Sequence, residues 1–259
     1  MTNSENNIDK DFNINSFTLS EYRSLIRLAK DKKYKFITYD EINTKHLSPY
    51  ILWRHDCDFS LNRAYKLAVI EREEGIRSTY FVNMHCEFYN VFEKTQSELI
   101  FKILDMGHML ALHFDFKYYD ILNERQLDKF IQQEVVILEM MFGVKLRAFS
   151  FHNPSEYSLA FDKMKYGGLL NTYSKQFKKT IDYVSDSNGY WRYRTLADVL
   201  ENFEYRSLQV LTHPGWWQDK ALPPRGRVAR SIYGRANSIM CLYDKSLLIS
   251  GRVNITKLI

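Results

Sequence analysis

Two carboxylates lie one residue apart at the end of an apolar run, in the segment LWRHDCD at residues 52–58. The apolar run at 51–53 is typical of a buried strand, and side chains at positions i and i+2 of an extended chain share a face. Asp56 and Asp58 would then lie side by side, and paired like charges need a cation or a shared proton. This segment alone leaves two interpretations open: a functional site, or surface carboxylates paired with Arg54 and a nearby lysine.

Three further apolar runs also end in side chains that can bind a metal ion or transfer a proton. These side chains are His113 with Asp115, His152, and His213. In a parallel α/β barrel the carboxyl ends of the strands converge on one mouth, so we expect the four polar strand ends to meet.

Aspartate and histidine at converging strand ends supply oxygen and nitrogen donors. These donors suit zinc or a similar divalent ion with one coordination position open for water. Such a water would be the nucleophile of a hydrolase. The other interpretation of the same set is a polar barrel mouth in which histidines and aspartates pair with one another.

The elements that carry these residues alternate along the chain. Apolar periodicity and capping residues predict helices over 19–31, 61–74, 95–106, 124–142, 195–203 and 224–249. Short β-rich runs predict strands at 51–54, 79–82, 109–114, 147–151, 168–172, 182–185 and 208–211. Strands that alternate with helices indicate βα units and a parallel sheet, so the predicted fold class is α/β, a single barrel with outer helices.

The length and composition fit one domain of barrel size, because 259 residues with 45% hydrophobic side chains can bury a full core. We expect residues 1–17, which are polar, to be a flexible lead-in, and residues 18–259 to form a single catalytic domain that ends in a closing amphipathic helix.

The sequence also indicates the cellular compartment of the protein. No signal peptide or run of about 18 apolar residues occurs, and three widely spaced cysteines suit a reducing environment. We therefore expect a cytoplasmic protein without a transmembrane segment.

The net charge of +5 could indicate an anionic partner. Basic residues alternate with acidic ones along most of the chain, so no nucleic-acid partner is predicted. A nucleic-acid or anionic-membrane surface would require the C-terminal arginines to cluster on one exposed face. These arginines are Arg225, Arg227, Arg230 and Arg235.

The motifs RHDCD, GHMLALHFD, FSFHNPS, SDSNGYWR and LTHPGWW, taken together and in this order, resemble the NodB-homology polysaccharide deacetylases, carbohydrate esterase family four. The likeness covers about residues 50–217 and is greatest to a divergent branch found with bacterial surface-polysaccharide genes. It implies a distorted (β/α) barrel and metal-dependent hydrolysis of an N-acyl group, usually N-acetyl, on an amino sugar.

The resemblance also implies roles for single residues. Asp56 resembles the catalytic base, Asp58 the metal-binding carboxylate, His113 the first metal histidine and His213 the general acid. The base would take a proton from the attacking water, and the acid would give one to the leaving amine.

Charge pairing would keep the catalytic base ionised. Arg54 and Arg192 are the two candidates for that pairing.

One departure from the family concerns the second metal histidine, because Lys117 occupies its place. A protonated lysine cannot bind a metal ion, so the third ligand must come from Asp115 or His152, or no metal is bound. We favour His152, since nitrogen is the commoner third donor beside aspartate and histidine. His55 and His108 flank the motifs and are interpreted as structural.

Trp191, Trp216 and Trp217 are interpreted as walls of a sugar subsite, with a core role equally open for Trp191. The predicted substrate is a cytoplasmic amino-sugar precursor, nucleotide- or lipid-linked. The alternative to an enzyme is a metal-free carbohydrate-binding or structural relative of the same fold. The oligomeric state is not predicted.

Overall fold

The strands form a single mixed sheet in the computed structural model, which describes residues 16–42, 49–191, 194–203 and 205–255. Nine strands lie in the described residues: β1 Lys35–Ile37, β2 Tyr50–Cys57, β3 Thr79–Val82, β4 Met109–Phe114, β5 Ala148–Phe151, β6 Lys165–Tyr166, β7 Leu169–Asn171, β8 Asp182–Ser185 and β9 Ser207–Thr212. Their order is β6-β7-β5-β4-β3-β2-β9-β8, with β1 beside the first half of β2.

The sheet curls into a distorted barrel, as the sequence predicted. All neighbouring strands are parallel except β6 and β7. Among the described residues no ladder joins β8 to β6, so hydrogen bonding does not close the barrel there. The longest strand, β2, lies centrally between β3 and β9.

The helices cover the outer surface. In the described part of the chain they are α1 Leu19–Asp31, α2 Leu61–Glu73, α3 Lys94–Asp105, α4 Glu124–Phe142, α5 Glu156–Leu159, α6 Lys175–Thr180, α7 Leu196–Glu201 and α8 Pro224–Ile249. All six predicted helices are confirmed with ends within two residues. The short elements β1, β6, α5 and α6 were not predicted, because two to six residues carry too little periodicity to separate them from loop.

Capping side chains explain where helices α1 and α2 begin. Thr18 accepts a hydrogen bond from the Glu21 N–H at the start of α1, and Ser60 does the same at the start of α2. Gly143 ends α4 in the left-handed region, at φ 66°, which glycine adopts without steric cost. These local signals account for the accuracy of the helix predictions.

Side-chain alternation along β2 sends polar groups to both sides of the sheet. Leu52 packs in the barrel interior with Phe81 of β3 and Ala111 of β4, while Trp53 joins the core between the sheet and the helices. Arg54 and Asp56 share the face of Leu52. This register places the first catalytic candidates inside the barrel.

His55 points the other way, towards α2, and is completely buried. Its Nε2 lies 2.6 Å from Glu71 Oε1 and its Nδ1 lies 2.7 Å from Thr212 Oγ1. His108 lies 3.6 Å from the other oxygen of Glu71. The interpretation of His55 and His108 as structural residues therefore agrees with their contacts.

The folded domain begins earlier than predicted. Phe17, placed in the flexible lead-in from sequence, is only 2% exposed and packs against Trp217 at 4.8 Å between ring centroids. Its backbone carbonyl also accepts a hydrogen bond from Gln218. Phe17 therefore belongs to the folded domain and not to the predicted lead-in. Residues 1–15 lie outside the described residues.

Helix α8 has the predicted bounds but does not close the core. Arg227 is its buried anchor, donating to the carbonyls of Leu222 and Gly189. Further along, the side chains of the predicted apolar stripe are exposed, with Ile232 at 49%, Ile239 at 48% and Leu242 at 43%. Among the described residues, these apolar side chains of α8 therefore remain uncovered and do not join the core.

The C-terminal arginines do not form the exposed basic face that nucleic-acid binding would require. Arg227 is buried, Arg230 contacts Asp219, and Arg235 forms an ion pair with Glu93. Within the described residues, no helix is long and apolar enough to cross a bilayer.

Substitution of Gly215 tests how tightly the turn after β9 is packed. A Cβ atom at this position would lie 2.2 Å from the Phe59 ring, so we expect Gly215→Ala to destabilise the fold by about 1–3 kcal/mol. Urea unfolding measures the change. Gly234→Ala is the matched control, because a Cβ atom added there would have no neighbour within 4 Å, and its midpoint should stay unchanged or rise slightly. Equal midpoints for both variants would contradict the packing argument.

Candidate active site

The carboxyl ends of β2, β4 and β5 bring three potential metal ligands together. Asp58 Oδ1 lies 3.0 Å from His113 Nε2 and 3.4 Å from His152 Nδ1. The two imidazole nitrogens are 3.1 Å apart. One ligand atom from each residue lies within 4.8 Å of the others, so the geometry unites the three residues proposed from sequence as metal ligands.

This donor set fits a divalent ion such as zinc. One carboxylate oxygen and two imidazole nitrogens are ordinary zinc ligands, and three protein ligands leave a position free. His113 Nδ1 lies 2.7 Å from the buried Ser150 hydroxyl on β5, which directs the opposite nitrogen towards Asp58. Partners of this kind orient metal-binding histidines.

The geometry favours His152 over Asp115 as the third ligand. Asp115 accepts a hydrogen bond from the Lys117 N–H at 3.0 Å and caps the short turn Phe116–Tyr118. The Lys117 side chain is exposed. Among the described residues the ion pairs of Asp58 are with His113, His152 and His213.

Arg54 holds Asp56 in a buried, two-pronged ion pair. Arg54 Nε donates to Asp56 Oδ1 at 2.8 Å, and its Nη2 donates to Oδ2 at 2.6 Å. Both side chains are at most 2% exposed, and Arg54 also donates to the Thr172 hydroxyl. Burial alone would raise the pKa of Asp56, but the charge and hydrogen bonds of Arg54, together with the nearby His113 and His213, outweigh it and lower the pKa. Of the two predicted partners, Arg192 lies outside the described residues.

Asp186 holds His213 in an equivalent way. His213 Nδ1 lies 2.6 Å from Asp186 Oδ1, and Trp217 Nε1 donates to Oδ2 at 2.9 Å. The opposite nitrogen, Nε2, lies 3.7 Å from Asp58 Oδ2. Burial lowers the pKa of His213, but the carboxylates of Asp58 and Asp186 reverse this and raise the pKa to about 9. The imidazole is therefore protonated at neutral pH.

Asp186 lies in one of the motifs noted in the sequence, but no role was predicted for this residue. Asp186 directly follows β8, so the rule that polar groups at strand ends converge would have found it. Ser150 and Thr172 gave no comparable signal, since a hydroxyl in an apolar run is common. The contact of Ser150 follows from the strand register that places it opposite His113.

The catalytic candidates open into one cavity of about 210 Å³. Asp56, Asp58, His113 and His213 line it from the strand ends. Its walls also include Phe151, Asn153, Pro154, Tyr173, Tyr183, Ser187, Asn188, Leu211 and Trp216. The cavity brings these ionisable groups together with aromatic side chains such as Tyr173 and Trp216.

The three tryptophans proposed as sugar walls have different positions. Trp216 lines the cavity and packs against Phe59. Trp217 is completely buried, so its predicted contact with a sugar is wrong: its ring packs in the core and its N–H serves Asp186. Trp191 stacks on Phe17, with ring centroids 5.6 Å apart, and packs against the core, which is the second of the two roles left open for it.

Solved structures with a similar overall arrangement are family 4 carbohydrate esterases. One from Bacillus anthracis has a TM-score of 0.43 and 15% identity, over 82% of this chain and 85% of that chain. The chitin deacetylase of the fungal pathogen Colletotrichum lindemuthianum has a TM-score of 0.42 and 13% identity, over 78% of this chain and 86% of that chain.

A CE4 family pseudoenzyme from Bacillus anthracis has a TM-score of 0.42 and 11% identity, and the match covers 74% of this chain but 62% of that chain. No protein-family model and no curated protein matches the sequence. At these identities and scores the likeness carries no information on activity.

Metal content tests the three-residue ligand set. We expect protein purified without chelator to contain about one divalent ion per chain, and Asp58→Asn or His152→Ala to lose most of it, because each removes one of three ligands. Elemental analysis measures the content. Asp115→Asn should retain the metal; a loss equal to that of His152→Ala would make Asp115 the third ligand instead.

The pKa of His213 tests the role of Asp186. A carboxylate beside an imidazole stabilises its protonated form, so Asp186→Asn should lower the His213 pKa below about 9. An NMR titration of chelator-treated protein follows the ring directly. Asp115→Asn provides a control of equal charge change, and an identical shift in both variants would show that Asp186 has no specific effect.

Proposed function

We propose that this protein is a metal-dependent hydrolase that removes an N-acyl group, most simply N-acetyl, from an amino sugar. One observation carries the proposal: a carboxylate held ionised by Arg54 and an imidazole held protonated by Asp186 flank the same three metal-ligand candidates. A base and an acid on either side of one reacting centre are what amide hydrolysis requires.

Asp56 is suited to the base. An ionised carboxylate has about four lone-pair positions, and the two contacts from Arg54 leave others free for a water in the cavity. Arg54 keeps the carboxylate charged despite burial, although the same pairing lowers its basicity. Asp56 therefore accepts a proton from water as an N-acyl carbon is attacked.

His213 is suited to the acid. Its Nδ1 is occupied by Asp186, while its Nε2 faces the ligand cluster. A proton on Nε2 can pass to the nitrogen of the leaving amine, which is a poor leaving group until it is protonated. Asp186 then stabilises the orientation of the ring in both protonation states.

Asp58, His113 and His152 are the residues that would hold the metal ion. Such an ion supplies a Lewis acid that lowers the pKa of water and withdraws charge from an acyl oxygen.

The cavity supports a small substrate. A volume of about 210 Å³ suits one sugar unit, and Trp216 with Tyr173 provides aromatic surface for its apolar face. An amino-sugar precursor, nucleotide- or lipid-linked, in a cytoplasmic pathway agrees with this size and with the free, exposed Cys241.

The metal-free binding relative was based on Lys117 replacing a ligand. Lys117 is exposed, and its backbone N–H is used by Asp115, so it does not take the place of a cation among the acids. Because His152 supplies a third donor, we favour the enzyme.

Replacing the base should abolish most of the activity. The site should still assemble, at a cost in stability, because the asparagine oxygen can still accept a hydrogen bond from Arg54. We expect Asp56→Asn to slow release of acetate from N-acetyl amino sugars by on the order of 10²–10⁴-fold, because the amide cannot accept the proton. Acetate is measured by NMR, and metal content by elemental analysis.

Carboxylates beside His213 raise its pKa above the usual value, so wild-type activity should fall only in the alkaline range, where the acid becomes deprotonated. Asp115→Asn should show wild-type rates. If Asp56→Asn hydrolyses the substrate at the wild-type rate, Asp56 is not the base, and if the wild type binds metal but cleaves no N-acyl sugar, the proposed reaction is wrong.

A further inference from the structure

A second cavity, separate from the candidate active site, lies between the start of α2, the start of α3 and the first half of α8. Its volume is about 340 Å³, within the range of roughly 300–1,000 Å³ of small-molecule sites. We name it the basic cavity. Its lining includes Phe59, Arg63, Gln96, Arg230, Arg235 and Ser238.

The charge of this lining has one sign. Arg63, Arg230 and Arg235 line the basic cavity, and among the described residues no aspartate or glutamate does. Two carboxylates reach the arginines from outside the lining: Asp219 pairs with both Arg63 and Arg230, and Glu93 pairs with Arg235. Three guanidinium groups against two carboxylates leave an excess of positive charge beside the cavity.

Two polar side chains here have unused hydrogen-bonding capacity. Gln96 is 5% exposed and lines the cavity, and its amide has no hydrogen-bond partner in the described part of the chain. Arg63 lines the cavity too, and within the described residues its buried Nη1 also lacks a partner. Because the Arg63 Nη1 atom is buried and buried polar groups are costly to leave unpaired, a bound hydrogen-bond acceptor would satisfy it.

The backbone also contributes partial positive charge at the basic cavity. Ser60 caps the first turn of α2, a helix of 13 residues, and residues 60–63 line the cavity. The start of a helix carries partial positive charge and favours oxyanions. The ligand chemistry indicated by arginines, an amide, serine hydroxyls and a helix start is a phosphoryl group.

We propose that the basic cavity is a binding site for a phosphoryl anion, a phosphate or diphosphate group. Phe59 separates this site from the candidate active site: it follows Asp58 directly, lines the basic cavity, and packs edge-on against Trp216, which lines the other cavity. The phosphoryl group is therefore either part of a substrate that passes this wall or a separate anion.

Calorimetric titration with pyrophosphate and with inorganic phosphate at low ionic strength tests the proposal. We expect both to bind the full chain, and binding to weaken as salt is added because exposed charges are screened. Ser238→Glu places a carboxylate on an exposed position of the cavity wall and should weaken pyrophosphate binding by about tenfold or more.

Asn237→Glu is the matched control, because the neighbouring residue on the same helix is exposed, receives the same charge, and does not line the cavity. Its affinity should stay within about twofold of wild type. Gln96→Leu keeps the size of the side chain and should also weaken binding. The absence of binding to wild type, or equal weakening by both glutamate variants, would overturn the proposal.

Turnover distinguishes the two sources of the phosphoryl group. If it belongs to the substrate, Ser238→Glu raises KM for a nucleotide-linked N-acetyl amino sugar and leaves KM for the free sugar unchanged. If it is a separate anion, Ser238→Glu loses pyrophosphate binding and leaves both KM values unchanged. The titration needs no catalysis, so it stays decisive even if the proposed hydrolase activity is not found.

Discussion

The buried ion pair of Arg54 and Asp56 is the interaction on which the candidate site depends. Two charges inside a barrel lose most of their hydration, and their attraction compensates only when the geometry is good and the remaining donors are satisfied. Here two parallel hydrogen bonds, the Thr172 hydroxyl and the Phe81 ring around the guanidinium meet that condition. Removing one partner of such a pair costs roughly 3–5 kcal/mol, because the other charge remains buried. The fold therefore keeps Asp56 ionised at the base of the cavity.

A comparable buried pair lies at the opposite side of the cavity, where the Asp186 carboxylate stabilises the protonated His213. Asp186 is buried and serves His213 and Trp217 together, so one carboxylate links the core to the acid candidate. Asp58 lies between the two systems and faces three imidazoles. A low-dielectric strand end thus holds an ionised carboxylate and a protonated imidazole close together, a combination that water would not maintain.

Phe59 connects this arrangement to the surface behind it. Its position directly after Asp58 fixes the ring between Gly215 and the basic cavity, and the ring packs against Trp216, which lines the other cavity. The contact is possible only because Gly215 has no side chain there. The two cavities are consequently parts of one packed unit around the end of β2 and the turn after β9.

Local sequence determined the helices and most strands, because capping residues, glycine stops and apolar periodicity act over a few neighbouring residues. It also predicted that the polar strand ends carrying Asp58, His113 and His152 would meet, since strand ends of a parallel barrel converge, but the choice of His152 over Asp115 needed the structure. The positions of Trp217 and Trp191 in the core, the exposure of the α8 apolar stripe and the burial of Phe17 were decided by tertiary packing. An aromatic or apolar residue carries the same local signal whether a neighbour covers it or not. The basic cavity belongs to this second group, because its lining residues are brought close only by the fold. Asp186 follows a strand end that the sequence shows, and the fold decided only its pairing with His213.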